Sequence, residues 1–274
     1  MTSSFTTAIG AGPSGYSLPL SPSGGSAALT PPPWHFAGEV IMVDYRVDPA
    51  VAAAFLPPEL DAGTDPGAAA AVFAQWQWCS ASGAELAVPD RCRFGEFLIL
   101  LGCSHRGRPL ARCPYAWVDQ PVPMLRGWVQ GMPKQLGVIH QTMPVRVGEA
   151  GPRLGAPGGF TGTASVHGQR IVTATVNVSG PIAEPPPLHT VPLVHTRMFP
   201  AWLPGEQPLS QLVTSKVTGV EFTEIWAGQA SLEIFDGIDA DLGRLRPVEV
   251  GRGYVFGYAE TLCHGEPLEP GGNQ

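Results

Sequence analysis

The chain holds only two lysines, Lys134 and Lys216, among sixteen basic residues, the other fourteen being arginine. Where a solvated positive charge suffices, this composition uses arginine. A retained lysine therefore points to chemistry that a guanidinium cannot do. Arginine stays protonated in proteins, whereas a buried ammonium can shed its proton and become a nucleophilic amine. A neutral amine attacks a carbonyl to give an imine, whose protonated form withdraws electrons from the bonds of the neighbouring carbon. An ordinary lysine, with a pKa of about 10.4, holds a neutral amine in roughly one molecule in 2,500 at pH 7. Making that form common near neutrality takes roughly 4 kcal/mol, which burial or a neighbouring cation can supply. Lys134 lies in RGWVQGMPKQLG, a glycine-punctuated segment that reads as a loop with a short helix. Lys216 lies in an alternating strand pattern, which suits a surface or rim position.

Other side chains could share that chemistry. Glu96 opens the apolar run FLILLGC, where a half-buried carboxylate suits general acid-base work; pairing with Arg93 is the structural alternative. Arg126 can clamp a carboxylate through two parallel hydrogen bonds, or pair with a structural carboxylate. Arg197, in HTRMFP, poses the same choice, with structural pairing preferred. Trp76, Trp78, Trp117 and Trp226 read as core. Cys103, His105 and Cys113 are too loosely spaced for a zinc site, so no metal and no other cofactor is expected.

The elements that must position these groups are short. Thirty-four glycines, thirty prolines and 14% charged residues imply many turns and few long helices. A net charge of -7 argues against nucleic acid and anionic membranes as partners. The chain begins without a basic-then-apolar leader and holds no apolar run long enough for a bilayer. Five cysteines without metal-type pairing suit reduced thiols in a cytoplasmic protein, where the sequon at Asn177 carries no meaning.

Residues 1–30 read as a flexible Gly/Ser/Pro-rich tail, residues 31–265 as one domain, and residues 266–274 as a second tail. The tail contains GAGPSG, a literal G-x-G-x-x-G. Dinucleotide binding needs that motif between a strand and a helix, and Pro19 and Pro22 forbid the helix. Strands are expected at EVIMVDYRVD, AAAAVFAQWQWCS (helical by propensity alone), EFLILLGCS and ARCPYAWVD. PAVAAAFLPPEL reads as a short helix with Pro at its start and Pro57-Pro58 as its stop. Residues 141–180 suggest an antiparallel meander. LVTSKVTGVEFTEIWAG and ASLEIFD suggest two strands turning at Ala227-Gly228, and GYVFGYAETLC a closing strand. The sum is a β-rich α+β domain.

Three ordered blocks resemble the acetoacetate decarboxylase superfamily: DYRVDPAVAAAFLPPEL, GWVQGMPKQLG and LVTSKVTGVEFTEIWAGQASLEIFD. The resemblance spans residues 34 to 262. It implies a barrel-like or curved antiparallel sheet with short flanking helices, a homo-oligomer, and Lys134 as the Schiff-base lysine with Glu96 as the acid beside it. Three positions depart from the family pattern. Gln135 replaces a second lysine, so Trp128, Met132 and the strands must desolvate Lys134. Gly38 stands where the decarboxylase has an arginine near the substrate carboxylate. Arg126 and Gln130, eight and four residues before Lys134, are similar to a branch that condenses pyruvate with an aldehyde and eliminates water. In that branch a tyrosine proton donor occupies the position of Phe94. The resemblance thus implies a lyase that joins a small keto acid to an aldehyde and dehydrates the product. Phe94, Trp128, Gln130, Arg126 and Arg197 would surround the substrate. Decarboxylation of acetoacetate or another β-keto acid is the first alternative; an imine-independent binding protein or cyclase using the same cavity is the second.

Overall fold

A computed structural model describes residues 12–236 and 239–268. The strands are β1 (Trp34–Arg46), β2 (Ala68–Ser80), β3 (Arg93–His105), β4 (Arg108–Val118), β5 (Lys134–Leu136), β6 (Val138–Gln141), β7 (Gly158–Val166), β8 (Gln169–Ile182), β9 (Leu193–Phe199), β10 (Leu209–Phe222), β11 (Ile225–Ile234) and β12 (Glu249–Pro267). Between them lie the short helices α1 (Pro49–Ala54), α2 (Pro89–Cys92), α3 (Pro121–Gln130), α4 (Pro187–Thr190) and α5 (Ala240–Arg244). None of the helices among the described residues is long and apolar enough to cross a membrane. The fold is the β-rich α+β arrangement expected.

Hydrogen bonding runs β1-β2-β3-β4-β9-β10-β12, and β12 pairs back onto β1, closing a ring. From β12 the pairing also continues through β11, β8, β7 and β6, forming a second layer over the outside of the ring. Side chains alternate between the two faces of each ring strand. The outward set, including Ile41, Phe73, Phe97, Ile99 and Trp117, packs against Phe160, Val176 and Leu232 of the second layer in the largest core. The inward set, including Val40, Ala70, Leu98, Cys113 and Phe256, lines the ring's interior.

Local chemistry explains the elements. Asp48 caps α1, its Oδ1 accepting from the backbone N–H of Ala50 at 2.8 Å, with Pro49 in the first turn. β2 is a strand despite its alanines because residues 69–74 are buried on both faces between the two layers. Tertiary packing overrides helix propensity there.

Two expectations need correction. The sheet is mixed, since β4 runs parallel to β5 and to β9. Helix α3 carries the chain back so that β5 starts at the same end as its neighbour, as a crossover requires. The turn expected at Ala227-Gly228 falls instead at Thr223-Glu224, and β10 and β11 flank β12 on opposite sides. Gly228 lies inside β11 at a register shift, where a Cβ would collide with Asn177 O. The 141–180 meander is present as β6, β7 and β8, interrupted by a loop over 142–157.

Of the expected N-terminal tail, residues 1–11 lie outside the described residues, as do 269–274 at the other end. From Gly12 onward the segment contains a Ser14–Ser21 bridge and no helix before β1, so the glycine motif has no helix behind it. Leu29 is buried, Thr30 Oγ1 donates to Glu85 Oε1 at 3.0 Å, and Trp34 Nε1 donates to Thr30 O at 2.9 Å.

Phe97 sits between the layers, its ring 4.6 Å from that of Phe73 and 5.8 Å from that of Trp117. Phe97→Ala is expected to lower unfolding free energy by about 3–5 kcal/mol in urea titrations. A loss below about 1 kcal/mol would remove Phe97 from the packed core.

Candidate active site

Strand register sorts the ring's inner face into rows. Phe256, Val40, Ala74, Glu96 and Val118 form one row across β12, β1, β2, β3 and β4. Tyr258, Gly38, Trp76 and Phe94 form the next. Glu260, Phe36 and Trp78 form the third. Lys134 joins from β5, paired in register with Ala116 of β4. Ala74 and Ala116 keep the wall thin where Glu96 and Lys134 project.

Local structure holds Lys134 in place. α3 ends at Gly131 in the left-handed region (φ 90), where a Cβ would lie 2.6 Å from Arg197 N. The chain then enters β5 through Met132 and Pro133. The lysine stem lies on Gly127, where a Cβ would meet Lys134 Cδ at 2.5 Å. Trp128 Nε1 donates to Lys134 O at 2.8 Å. Alternation sends Gln135 outward into solvent.

The ammonium is enclosed. Lys134 is 5% exposed, and its Nζ lies 2.8 Å from Glu96 Oε1. Trp76 Nε1 donates to the other carboxylate oxygen, Oε2, at 2.8 Å. The Phe94 ring centroid is 5.7 Å from Nζ.

Arg126 shares that ring, its Cζ being 5.5 Å from the Phe94 centroid, and stands over Phe36 (4.7 Å), Trp78 (4.3 Å) and Trp34 (5.6 Å) as well. It is 1% exposed, yet neither Nη1 nor Nη2 has a hydrogen-bond partner among the described residues. Burial pulls its pKa down to about 9, opposed by the charges of Glu96 and Glu85. Buried guanidinium donors without acceptors are costly, and π faces supply only part of what water gave. An anion with two oxygens would satisfy both.

The other expected residues are arranged as follows. Phe94 is buried between Lys134 and Arg126. Trp128 is 51% exposed, so it steers the lysine backbone, while buried Met132 supplies apolar cover. Gln130, the last residue of α3, is half-buried. Arg197 is spent on the fold: its Nε donates to Val129 O at 2.9 Å near the end of α3. Gly38 has no room for a side chain, since a Cβ would collide with Gln75 O and reach Trp76 Cε3 at 2.7 Å. Lys216 is exposed. Trp76 and Trp78, read from sequence as core, face the site, whereas Trp117 is core and Trp226 Nε1 donates to Glu224 Oε2 at 2.7 Å.

Residues not anticipated complete the interior. Tyr258 OH donates to Glu260 Oε2 at 2.8 Å. Burial raises the Glu260 pKa; the Tyr258 hydrogen bond lowers it, the Glu96 charge raises it and Lys134 lowers it. Glu260 therefore stands within electrostatic reach of the lysine pair. The signal was legible: Tyr254, Phe256, Tyr258 and Glu260 share one parity in GYVFGYAETLC, placing an acid in phase with buried aromatics. Cys113, pushed up to about 12 by burial and then by Glu96, and fully buried His195 also face Lys134. A cavity of about 660 Å³ lined among others by Gly38, Glu39, Trp76, Phe222 and Tyr258 opens at this wall, but Lys134, Glu96, Phe94, Arg126 and Glu260 do not line it.

With this geometry in hand, comparison with known proteins is decisive. The family model described as acetoacetate decarboxylase (ADC) matches residues 17–270. The chain belongs to the acetoacetate decarboxylase family. Among solved structures of this fold, the enduracididine biosynthesis enzyme MppR, complexed with the condensation product of pyruvate and imidazole 4-carboxaldehyde, is 65% identical, with a TM-score of 0.91 over 94% of this chain and 97% of that one. MppR complexed with pyruvate is 64% identical, with a TM-score of 0.90 over 94% and 99%. An acetoacetate decarboxylase-like enzyme from Sphingomonas wittichii RW1, 24% identical with a TM-score of 0.85 over 93% and 99%, shares the fold. A search of curated proteins found no match. As a member of this decarboxylase-like family, the chain is an enzyme of lyase type.

His195 gives a pH test of the interior. Burial, then the charges of Arg112 and Lys134, lowers its pKa from 6.5 to about 3. The unfolded chain therefore binds a proton that the folded one refuses, and stability falls as pH drops below about 6.5. Between pH 7 and pH 5 this costs roughly 2 kcal/mol. Urea titrations of His195→Gln at the two pH values should show that much less acid destabilisation than the parent. Equal slopes would mean that the imidazole charges freely in the fold.

Proposed function

We propose that this enzyme condenses a small 2-keto acid, pyruvate or a near homologue, with an aldehyde through an imine on Lys134, and then dehydrates the product. The observation that carries this reading is the buried Lys134 Nζ–Glu96 Oε1 contact, with an unsatisfied Arg126 guanidinium facing the same Phe94 ring. The condensation product and the pyruvate held by MppR support the choice of substrates.

In this mechanism Arg126 takes the keto-acid carboxylate in bidentate fashion. Glu96 accepts a proton across the 2.8 Å contact, leaving a neutral amine beside a neutral acid. The amine attacks carbon 2, and loss of water gives the iminium. Glu96, again a carboxylate, removes a proton from carbon 3, and the resulting enamine attacks the aldehyde carbon. The aldehyde oxygen takes that proton back from Glu96 to become the new hydroxyl; its loss with a second carbon 3 proton gives the unsaturated iminium, which water releases from Lys134. Gln130 is assigned to an oxygen of substrate or adduct, Phe94 and Trp128 to shaping and support, and Arg197 to holding α3.

Decarboxylation of acetoacetate is the alternative within the family, separated by carbon dioxide release without an aldehyde. One catalytic domain over residues 31–265, self-assembly and a cytoplasmic location belong to the same proposal. The exposed Met198, Trp202 and Leu203 support assembly, and five free cysteines support the location.

Incubation with pyruvate and borohydride should add one reduced adduct, mapped to Lys134 by peptide mass. Lys134→Ala and Lys134→Arg should both abolish the adduct and turnover. An adduct elsewhere, or turnover by Lys134→Ala, sinks the imine mechanism. Arg126→Lys keeps the charge but loses the planar fork. It is expected to lower kcat/KM on the order of 100-fold, chiefly through KM for pyruvate, and an unchanged KM would remove Arg126 from carboxylate binding.

A further inference from the structure

Dehydration of an aldol adduct needs a group that protonates the departing hydroxyl, and Phe94 offers none. We propose that Glu260, held by Tyr258, is the general acid for this step. The inference rests on the condensation reading above and assigns its last chemical step.

Register puts the pair on the inner face that also carries Glu96, with Glu260 within electrostatic reach of both Glu96 and Lys134. Tyr258 and Trp76 lie in one row with only Gly38 between them, and their rings meet edge to face at 6.1 Å. That approach requires glycine, since a Cβ at position 38 would strike the Trp76 ring. Trp76 holds Glu96, and Glu96 holds Lys134, so a line of contacts runs from Tyr258 through Trp76 and Glu96 to the amine. Glu260 pairs across the strands with Phe36, whose ring carries Arg126. A keto acid bound to Arg126 and Lys134 would thus have Glu96 at the amine and Glu260 on the strand position facing Phe36, the ring under Arg126.

The two carboxyl groups divide the work. Glu96 is engaged by the ammonium through one oxygen and by the Trp76 N–H through the other, which holds it at the amine and assigns it the carbon 3 proton. Among the described residues Glu260 accepts from the Tyr258 phenol, a neutral donor, and burial together with the Glu96 charge favours its acid form. Lys134 and Tyr258 act against that. His35, Glu39 and Glu221 pair with Thr261, Gly257 and Ala259, on the other face of β12, and Lys216 of β10 is exposed. Two carboxyl groups in different surroundings let one site supply both an acid and a base.

The step balances. The bond from carbon 3 to hydrogen breaks toward Glu96, the carbon 3 to carbon 4 double bond forms, and the bond from carbon 4 to oxygen breaks. The oxygen leaves as water with the proton of Glu260. One proton then returns from Glu96 to Glu260, directly or through solvent, and both groups are reset.

The test follows pyruvate and imidazole 4-carboxaldehyde by product mass. Glu260→Gln should still trap pyruvate on Lys134 with borohydride, yet accumulate the hydroxylated adduct and slow its dehydration at least 100-fold. If the parent protein traps no pyruvate, the condensation reading itself fails. If the parent traps and dehydrates, and Glu260→Gln dehydrates at the parental rate, only the present inference is overturned. Loss of trapping in a folded Glu260→Gln also overturns it, because Glu260 would then serve imine formation. Should Glu260→Gln not fold, Tyr258→Phe decides. Removing the phenol takes away a hydrogen bond that favours the carboxylate, so the alkaline limb of the dehydration profile should move to higher pH. A limb that stays or moves downward overturns the assignment.

Discussion

The structure is organised around a lysine and a glutamate taken out of water together. Removing two charges from solvent costs several kcal/mol for each ion, and their attraction returns this only when the geometry is close and the remaining oxygen is satisfied. Both conditions hold, through the 2.8 Å contact and the Trp76 N–H. Many small residues nearby are explained by that demand. Ala74 and Ala116 thin the wall, Gly127 receives the lysine stem, and Gly38 lets Trp76 lean far enough to reach the carboxylate.

A polar interior is affordable because stability is gathered elsewhere. The aromatic stack of Phe73, Phe97 and Trp117, with Phe160 and Val176 from the second layer, sits outside the ring. Strands β1, β2, β3, β4 and β12 therefore each present one face to the inter-layer core and the other to the candidate site. Arg126 illustrates how far the second face departs from a conventional core: a fully buried guanidinium rests on four aromatic rings with both terminal nitrogens unsatisfied. Donors buried in this way are costly until they find an acceptor.

Much of this was legible in the sequence. Lysine scarcity singled out Lys134, the run after Glu96 announced a core strand, and Pro49 with Pro57-Pro58 bounded α1. What the sequence hid were pairings decided across long separations. Trp76 and Trp78 read as core because an indole facing a polar hollow has the same parity as one facing oil. For Arg197 the sequence favoured structural pairing without naming the partner, which is Val129 O. Gly228 resembled a turn because glycine serves equally for a turn and for close strand approach. Glu260 was visible as an acid in phase with aromatics, but only closure of β12 onto β1 brings it to the lysine.

That closure orders events on the ribosome. The first strand ends at Arg46, and its outer partner begins only at Glu249, more than two hundred residues later in synthesis. Until then β1 has one unpaired edge, and the walls around Lys134 and Arg126 are open to water. Contacts so distant in sequence form slowly, and exposed strand edges invite association with other chains. The nascent polypeptide thus carries Lys134 and Glu96 in water, and the walls that enclose the pair are complete only after β12 has been translated.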